Sequence, residues 1–288
     1  MADRPTTAIL LARGPLRERI AAELTRFVYE RGGQIVGHDQ YVDHERTRYY
    51  TRLEWTLERF ALDRHELRDV LLETATRFGL ATHLYFSDDV PRVALFVSTL
   101  SHCLYDVLGR WRSGEWRIEI PLIMSNHETL AAVARRFDVR FHHLPTTPGN
   151  RAVQEREQIR VLRDTGVELV VLARYMQIVG PELVAAFPDG IINIHHAFLP
   201  SFPGARPYDQ AYRRGVKIIG ATAHYVTADL DAGPILEQDV IRVTHATSVE
   251  EMVRLGRDLE KVVLARAIWL HLQRKVIVDE GRTIVFGS

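Results

Sequence analysis

The 288-residue sequence predicts an α/β protein: a ferredoxin-like βαββαβ unit over residues 1–88, then a Rossmann-like unit with a mostly parallel sheet over residues 89–288. Three observations predict it. Up to Ser87 the apolar periodicity runs strand, helix, strand, strand, helix, strand, the order of the split βαβ motif. From Pro91 onward, short and continuously apolar runs alternate with helical stretches, as in a parallel sheet covered on both faces. The two rhythms meet at Asp88–Pro91, and the chain is long enough for two hydrophobic cores.

The elements follow in order. Thr7–Arg13, TAILLAR, is an apolar first strand. Leu16–Arg31 places Ile20, Leu24, Phe27 and Val28 on one helical face, and Gly32-Gly33 supplies the stop. Gln34–Asp43 and Arg48–Leu57 read as a strand pair. Asp63 caps a helix that ends at Gly79, and Leu80–Ser87 closes the set. In the second part, strands are expected at 92–98, 118–125, 139–144, 167–174 and 191–196. A helix over Asn150–Asp164 is expected to bury Val153, Ile159 and Leu162. Two longer strands, 217–226 and 234–243, are joined by the turn ADLDAGP. A long helix starts at Thr247 or Ser248, with Glu250 and Glu251 in its first turn. Its apolar face holds Met252, Leu255, Leu259, Val262, Val263 and Ile268.

Lys plus Arg equals Asp plus Glu, so the net charge is zero and no long-range field steers the protein toward nucleic acid or anionic membranes. The one cysteine, Cys103, allows no internal disulfide and suits a reducing compartment; it is expected to be a buried small hydrophobe. The N-terminal apolar stretch is short and broken by Arg13 and Gly14, so neither a signal peptide nor a membrane span is expected, and the expected location is the cytoplasm.

The chemistry concentrates in two places. The run IINIHH passes into the Pro- and Gly-rich AFLPSFPG, which puts His195 at the carboxyl end of a strand, where open sheets bind ligands. Side-chain alternation puts Asn193 and His195 on one face, about 6.6 Å apart, and sends His196 to the other, a structural position. In the downstream turn, Asp231 can orient His195 and favour its charged form. An amide, an imidazole and a carboxylate suit attack on a carbonyl by water or an amine, since no serine or cysteine is placed as nucleophile. The same residue types also fit polar groups that merely bond loop backbone, with His224 either lining the pocket or satisfied within its strand. The thirteen histidines raise a metal site, but the pairs His142-His143 and His195-His196 face opposite ways, and neither HExxH nor CxxC occurs.

The stretches INIHHAFLPSFPGARPY and GATAHYVTADLDAGPILEQDV resemble the folate-dependent formyltransferase family, whose signature is Asn-x-His with a downstream Asp-x-Gly-Pro. The resemblance implies a catalytic set of Asn193, His195 and Asp231. It also implies that LARYMQIVGP receives the pteridine ring, through Tyr175, Met176, Gln177, Ile178 and Val179, with His224 and His102 as further substrate contacts. No glycine-rich phosphate loop follows the strand at 92–98, where the chain reads FVSTLSHCLYDVL. That segment, the SNH at 125–127 and NIHH in place of NIHP are similar to the family's formyltetrahydrofolate deformylase branch, which passes the formyl group of 10-formyltetrahydrofolate to water.

That likeness implies tetrahydrofolate and formate as products, formate for purine synthesis, balanced one-carbon folate pools, and no cofactor beyond the folate substrate. It further implies an N-terminal ACT domain, a homo-oligomer and an amino-acid effector. Two departures stand out: Ala197 replaces a usual serine, and ARGPLRER replaces the usual acidic, Gly-containing ACT loop, which favours assembly over effector binding. His102 or Leu104 is expected to fill the space an amine acceptor would need. The alternative activity is formyl transfer to an amine; a third reading is a regulatory folate- or amino-acid-binding protein.

Overall fold

The computed structural model describes residues 5–147, 149–200 and 207–287, and the chain forms two compact units. The first comprises the chain up to Asp89 together with Gln273–Asp279 and the segment from Ile284; the second comprises Val90–Leu272 and Glu280–Thr283.

In the first unit β1 (Thr7–Pro15), α1 (Ile20–Glu30), β2 (Ile35–Asp43), β3 (Arg48–Thr56), α2 (Arg64–Phe78) and β4 (Ala81–Phe86) follow the predicted order. The strands form an antiparallel sheet of order β2-β3-β1-β4, the ferredoxin-like arrangement. The expected face of α1 is buried with Leu10, Leu53 and Trp55. The helix begins later than periodicity alone suggests, because Arg19 at φ 68 holds the chain out of the helical region just before it. Asp63 caps α2 in a capping box with Glu66, and Gly79 closes it in the left-handed conformation.

The second unit contains β5 (Arg92–Val97), α3 (His102–Arg112), β6 (Glu119–Ser125), α4 (Ala131–Arg136), β7 (Arg140–His143), α5 (Arg151–Asp164), β8 (Leu169–Leu172), α6 (Pro181–Ala186), β9 (Ile191–His195), α7 (Pro207–Arg214), β10 (Ile218–Tyr225), β11 (Ile235–Arg242) and α8 (Val249–Leu272). Its seven-stranded sheet has order β11-β10-β9-β8-β5-β6-β7. The strands from β7 to β9 pair in parallel, and β10 and β11 add an antiparallel end. The central strands are buried, which is why they read as continuous apolar runs. Ser248 and Glu251 exchange hydrogen bonds at the start of α8, so the cap falls on Ser248.

Each of two expected helical faces holds except at one residue. On α5, Leu162 is buried and Ile159 packs against the core as expected, but Val153 is exposed, and Glu155 and Gln158 are buried, with Glu155 Oε1 accepting from Leu183 N and Gln158 donating to the Tyr175 hydroxyl. Val262 is also exposed, and Glu260 takes a buried place on the stripe of α8.

Past α8, β12 (Val276–Asp279) and β13 (Arg282–Val285) form a two-stranded sheet that periodicity did not single out. Ile277 and Phe286 pack with Leu11 and Tyr50 of the first unit. The buried Asp279 accepts from Arg48 at 3.0 Å and from the Tyr50 hydroxyl at 2.7 Å. Among the described residues, no helix is long and apolar enough to cross a membrane.

Candidate active site

Strand pairing builds the centre of the site. Antiparallel β9 and β10 place Asn193 opposite His224 and His195 opposite Thr222. Asn193 Nδ2 lies 3.2 Å from His224 Nε2. His224 Nδ1 lies 2.8 Å from the Tyr225 carbonyl, which can only accept, so this nitrogen carries the proton. Asn193 carries a second amide N–H that this contact does not use and that can meet a ligand. Thr222 bonds Leu199 N and the Ala197 carbonyl and so holds the segment leaving β9. With the backbone fixed this way, a serine at 197 is not needed to secure that segment. Residues 201–206 of the quoted family stretch lie outside the described residues.

Asp231 arrives from the turn between β10 and β11. Its backbone is left-handed, φ 53, and Gly233 follows where a β-carbon would fall 1.7 Å from the Tyr225 carbonyl oxygen. Glycine is therefore required for this close approach. The turn presents the Asp231 Oδ2 3.3 Å from His195 Nδ1 and its Oδ1 3.6 Å from His224 Nε2. Hydrogen bonding to His195, then to His224, holds the Asp231 carboxyl far below the usual carboxylate range, so it is an anion at neutral pH. His195 is buried, and its Nε2 has no protein partner among the described residues. A buried polar atom left open beside a cavity is a place for a ligand.

A cavity of about 640 Å³ adjoins His195. Asn193, His195, His224 and Asp231 line it together with Tyr175, Met176, Gln177, Ile178 and Val179. Met176 and Ile178 are 58% and 55% exposed, so they are not core residues. Tyr175 is buried, with its ring edge against Phe96. Ser98 bonds both Met176 N and Asn126, and so supports this segment from beneath.

Residues 91–268 match the family model described as formyl transferase. Over 281 residues the chain is 50% identical to a Synechocystis sp. protein named formyltetrahydrofolate deformylase, covering 98% of this chain and 99% of that one. The chain belongs to the formyltetrahydrofolate deformylase family. A Bacillus subtilis member is 42% identical over 279 residues, covering 96% of this chain and 93% of its own. The crystal structure of a formyltetrahydrofolate deformylase from Pseudomonas syringae pv. tomato superposes with a TM-score of 0.97 at 40% identity, covering 99% of this chain and 96% of that one.

In this deformylase-family chain, every residue singled out for the site from sequence lines the same cavity, His102 included. Leu104 does not; it is fully buried in the core beneath. His196 corrects an expectation. Strand β9 ends at His195, so alternation no longer applies, and His196 turns onto the same cavity with its ring 5.1 Å from that of His195. Sequence reasoning also missed Arg174, Tyr208 and Glu260, which line the cavity as well. A signal existed for Glu260: it lies four residues after Gly256 on the buried stripe of α8, a charge where periodicity calls for an apolar group.

His102, Cys103 and Glu260 bring potential metal-donor atoms within 4.8 Å of one another. Burial pushes the Cys103 thiol up, away from the thiolate a metal binds, and Glu260 is already paired with His102 and Arg174. The donor set therefore favours a hydrogen-bonded network.

Proposed function

We infer that this protein hydrolyses 10-formyltetrahydrofolate to tetrahydrofolate and formate. The observation that carries the reading is the buried, unpartnered Nε2 of His195, backed by ionised Asp231, in a cavity that the Asn193 amide also lines. Its family relatives bear the matching name.

The geometry is compatible with each step of that reaction. The free N–H of Asn193 binds the formyl oxygen and stabilises the oxyanion as the carbonyl becomes tetrahedral. With Asp231 holding the Nδ1 proton, His195 takes a proton from water at Nε2 as the oxygen–carbon bond forms. The imidazolium then sits beside the oxyanion, and returns that proton to the folate nitrogen as the C–N bond breaks. Exposed Met176 and Ile178 in the cavity offer an apolar face to the flat pteridine, with Gln177 at hand for its polar edge. None of the described residues lining the cavity is a serine or cysteine, which favours direct attack by water over an acyl-enzyme. The strand β5 leads into α3 without a glycine-rich turn, so a phosphorylated amine acceptor has no cradle there.

The βαββαβ topology of the first unit supports an ACT-type assembly domain over residues 1–88 joined to a catalytic domain over 89–288, in a cytoplasmic homo-oligomer. Arg17 and Arg19 before α1 replace an acidic loop, which favours assembly over capture of an amino-acid effector. The formate released would feed purine synthesis.

One assay tests the activity. Purified protein is incubated with 10-formyltetrahydrofolate, with and without candidate amines. Formate at equal rate in both arms is expected. A formylated amine as the main product, or tight binding with no product, overturns the reading.

A further inference from the structure

Glu260 is 2% exposed, and burying a carboxylate costs several kcal/mol unless it is well paired. Its partners come from three other segments. The Oε2 lies 2.8 Å from His102 Nε2 at the start of α3 and 3.5 Å from Arg174 Nε after β8, while Oε1 accepts from the Tyr208 hydroxyl of α7 at 3.3 Å. Gly256 makes room, since a β-carbon there would fall 1.9 Å from the Tyr208 oxygen. Burial opposes the charge, but His102 and the Arg174 guanidinium hold the carboxyl below its usual range. Arg174 itself has a left-handed backbone, φ 65, a strained conformation for this residue that the surroundings must enforce.

What Arg174 does with its other end is the point. Its Nη1 lies 2.6 Å from His196 Nδ1. A guanidinium only donates, so His196 Nδ1 is the acceptor. Burial, then the Arg174 charge and His195, push the pKa of His196 down to about 4, so the ring is neutral and its single proton sits on Nε2. That ring lies at 27° to His195 and lines the cavity. Two imidazoles of opposite character thus stand side by side: His195 as acceptor and His196 as fixed donor.

We propose that Glu260 is a positioning residue which, through its ion pair with Arg174, fixes His196 with its Nε2–H toward the cavity, and that this N–H orients the water that attacks the formyl carbon. The inference rests on the hydrolase reading. The water accepts from His196 and gives its proton to His195; His196 keeps its own proton throughout. The charged and titratable groups facing His196 are Arg174, Glu260, His195, Asp231 and Tyr208.

The test is kinetic. His196→Phe keeps the ring stack and removes the donor; His196→Gln restores an N–H near the same place. With folding checked by thermal melt, kcat for formate release is expected to fall about 100-fold in His196→Phe and to recover to within about fivefold of the parent in His196→Gln, with KM changed less than about threefold in both. Glu260→Gln is expected to lower kcat about tenfold at unchanged KM, and Arg174→Lys, which keeps the charge but loses the fork, provides the same reading should Glu260→Gln fail to fold. Near-parental kcat in His196→Phe, or equal losses in His196→Phe and His196→Gln, or a collapse of kcat and KM together, overturns the inference. A parent protein that releases no formate overturns the hydrolase reading beneath it instead.

Discussion

Asp231 does two jobs with one carboxylate, and both depend on its charge. One oxygen holds the Nδ1 proton of His195 and the other faces His224, on which Asn193 leans. Asp231→Asn is expected to lower kcat by about 10²–10⁴-fold with little change in KM, and His195→Ala by a similar factor, measured as formate release by folded protein. The same carboxylate gives stability a pH dependence of known sign. Its folded pKa lies below the ordinary 3.8, so its contribution is complete above that value and is lost as the pH falls toward the folded pKa. The Tm difference between parent and Asp231→Asn should therefore be largest near neutrality and shrink below pH 4. Gly233→Ala forces the turn off the Tyr225 carbonyl, so it is expected to cost about 1–3 kcal/mol of stability in a denaturant titration and to lower kcat by displacing Asp231. At this scale the convergence of Asn193, His195 and Asp231 on one cavity was legible, because chemistry and spacing agreed. It was not legible for His196, because whether alternation continues depends on where strand β9 stops.

Elements were legible wherever a cap or a period acted locally. Asp63 with Glu66, and Ser248 with Glu251, use hydrogen bonds three residues apart, which a sequence displays directly. Ser248→Ala should lower the Tm and cost about 1 kcal/mol while leaving KM unchanged, since the cap lies on the helix start and not in the cavity. What periodicity missed on α5 and α8 was the buried polar residues, Glu155 and Glu260. In both, a polar residue turned inward to meet a partner distant in sequence: Glu155 toward Leu183, and Glu260 toward His102 and Arg174. Apolar periodicity carries no information about such partners, so it assigned Val153 and Val262 to faces that the structure leaves exposed.

At the scale of the molecule, the change of rhythm near Pro91 was readable because one stretch alternates in antiparallel fashion and the next runs in buried parallel strands. The return of the C-terminal hairpin was not, since its few apolar residues declare no destination. Asp279 is its anchor: Asp279→Ala leaves the buried Tyr50 hydroxyl and Arg48 without their acceptor and is expected to cost about 2–4 kcal/mol, read as a shift in the denaturant midpoint. That hairpin also sets an order of events during synthesis. The four-stranded sheet of the first unit is complete once Phe86 has left the ribosome, yet Ile277 and Phe286, which pack with Leu11 and Tyr50, emerge only after Val90–Leu272 has been translated. A product truncated in between lacks the two apolar partners of Leu11 and Tyr50, and transiently bare apolar surface of this kind is what aggregation exploits.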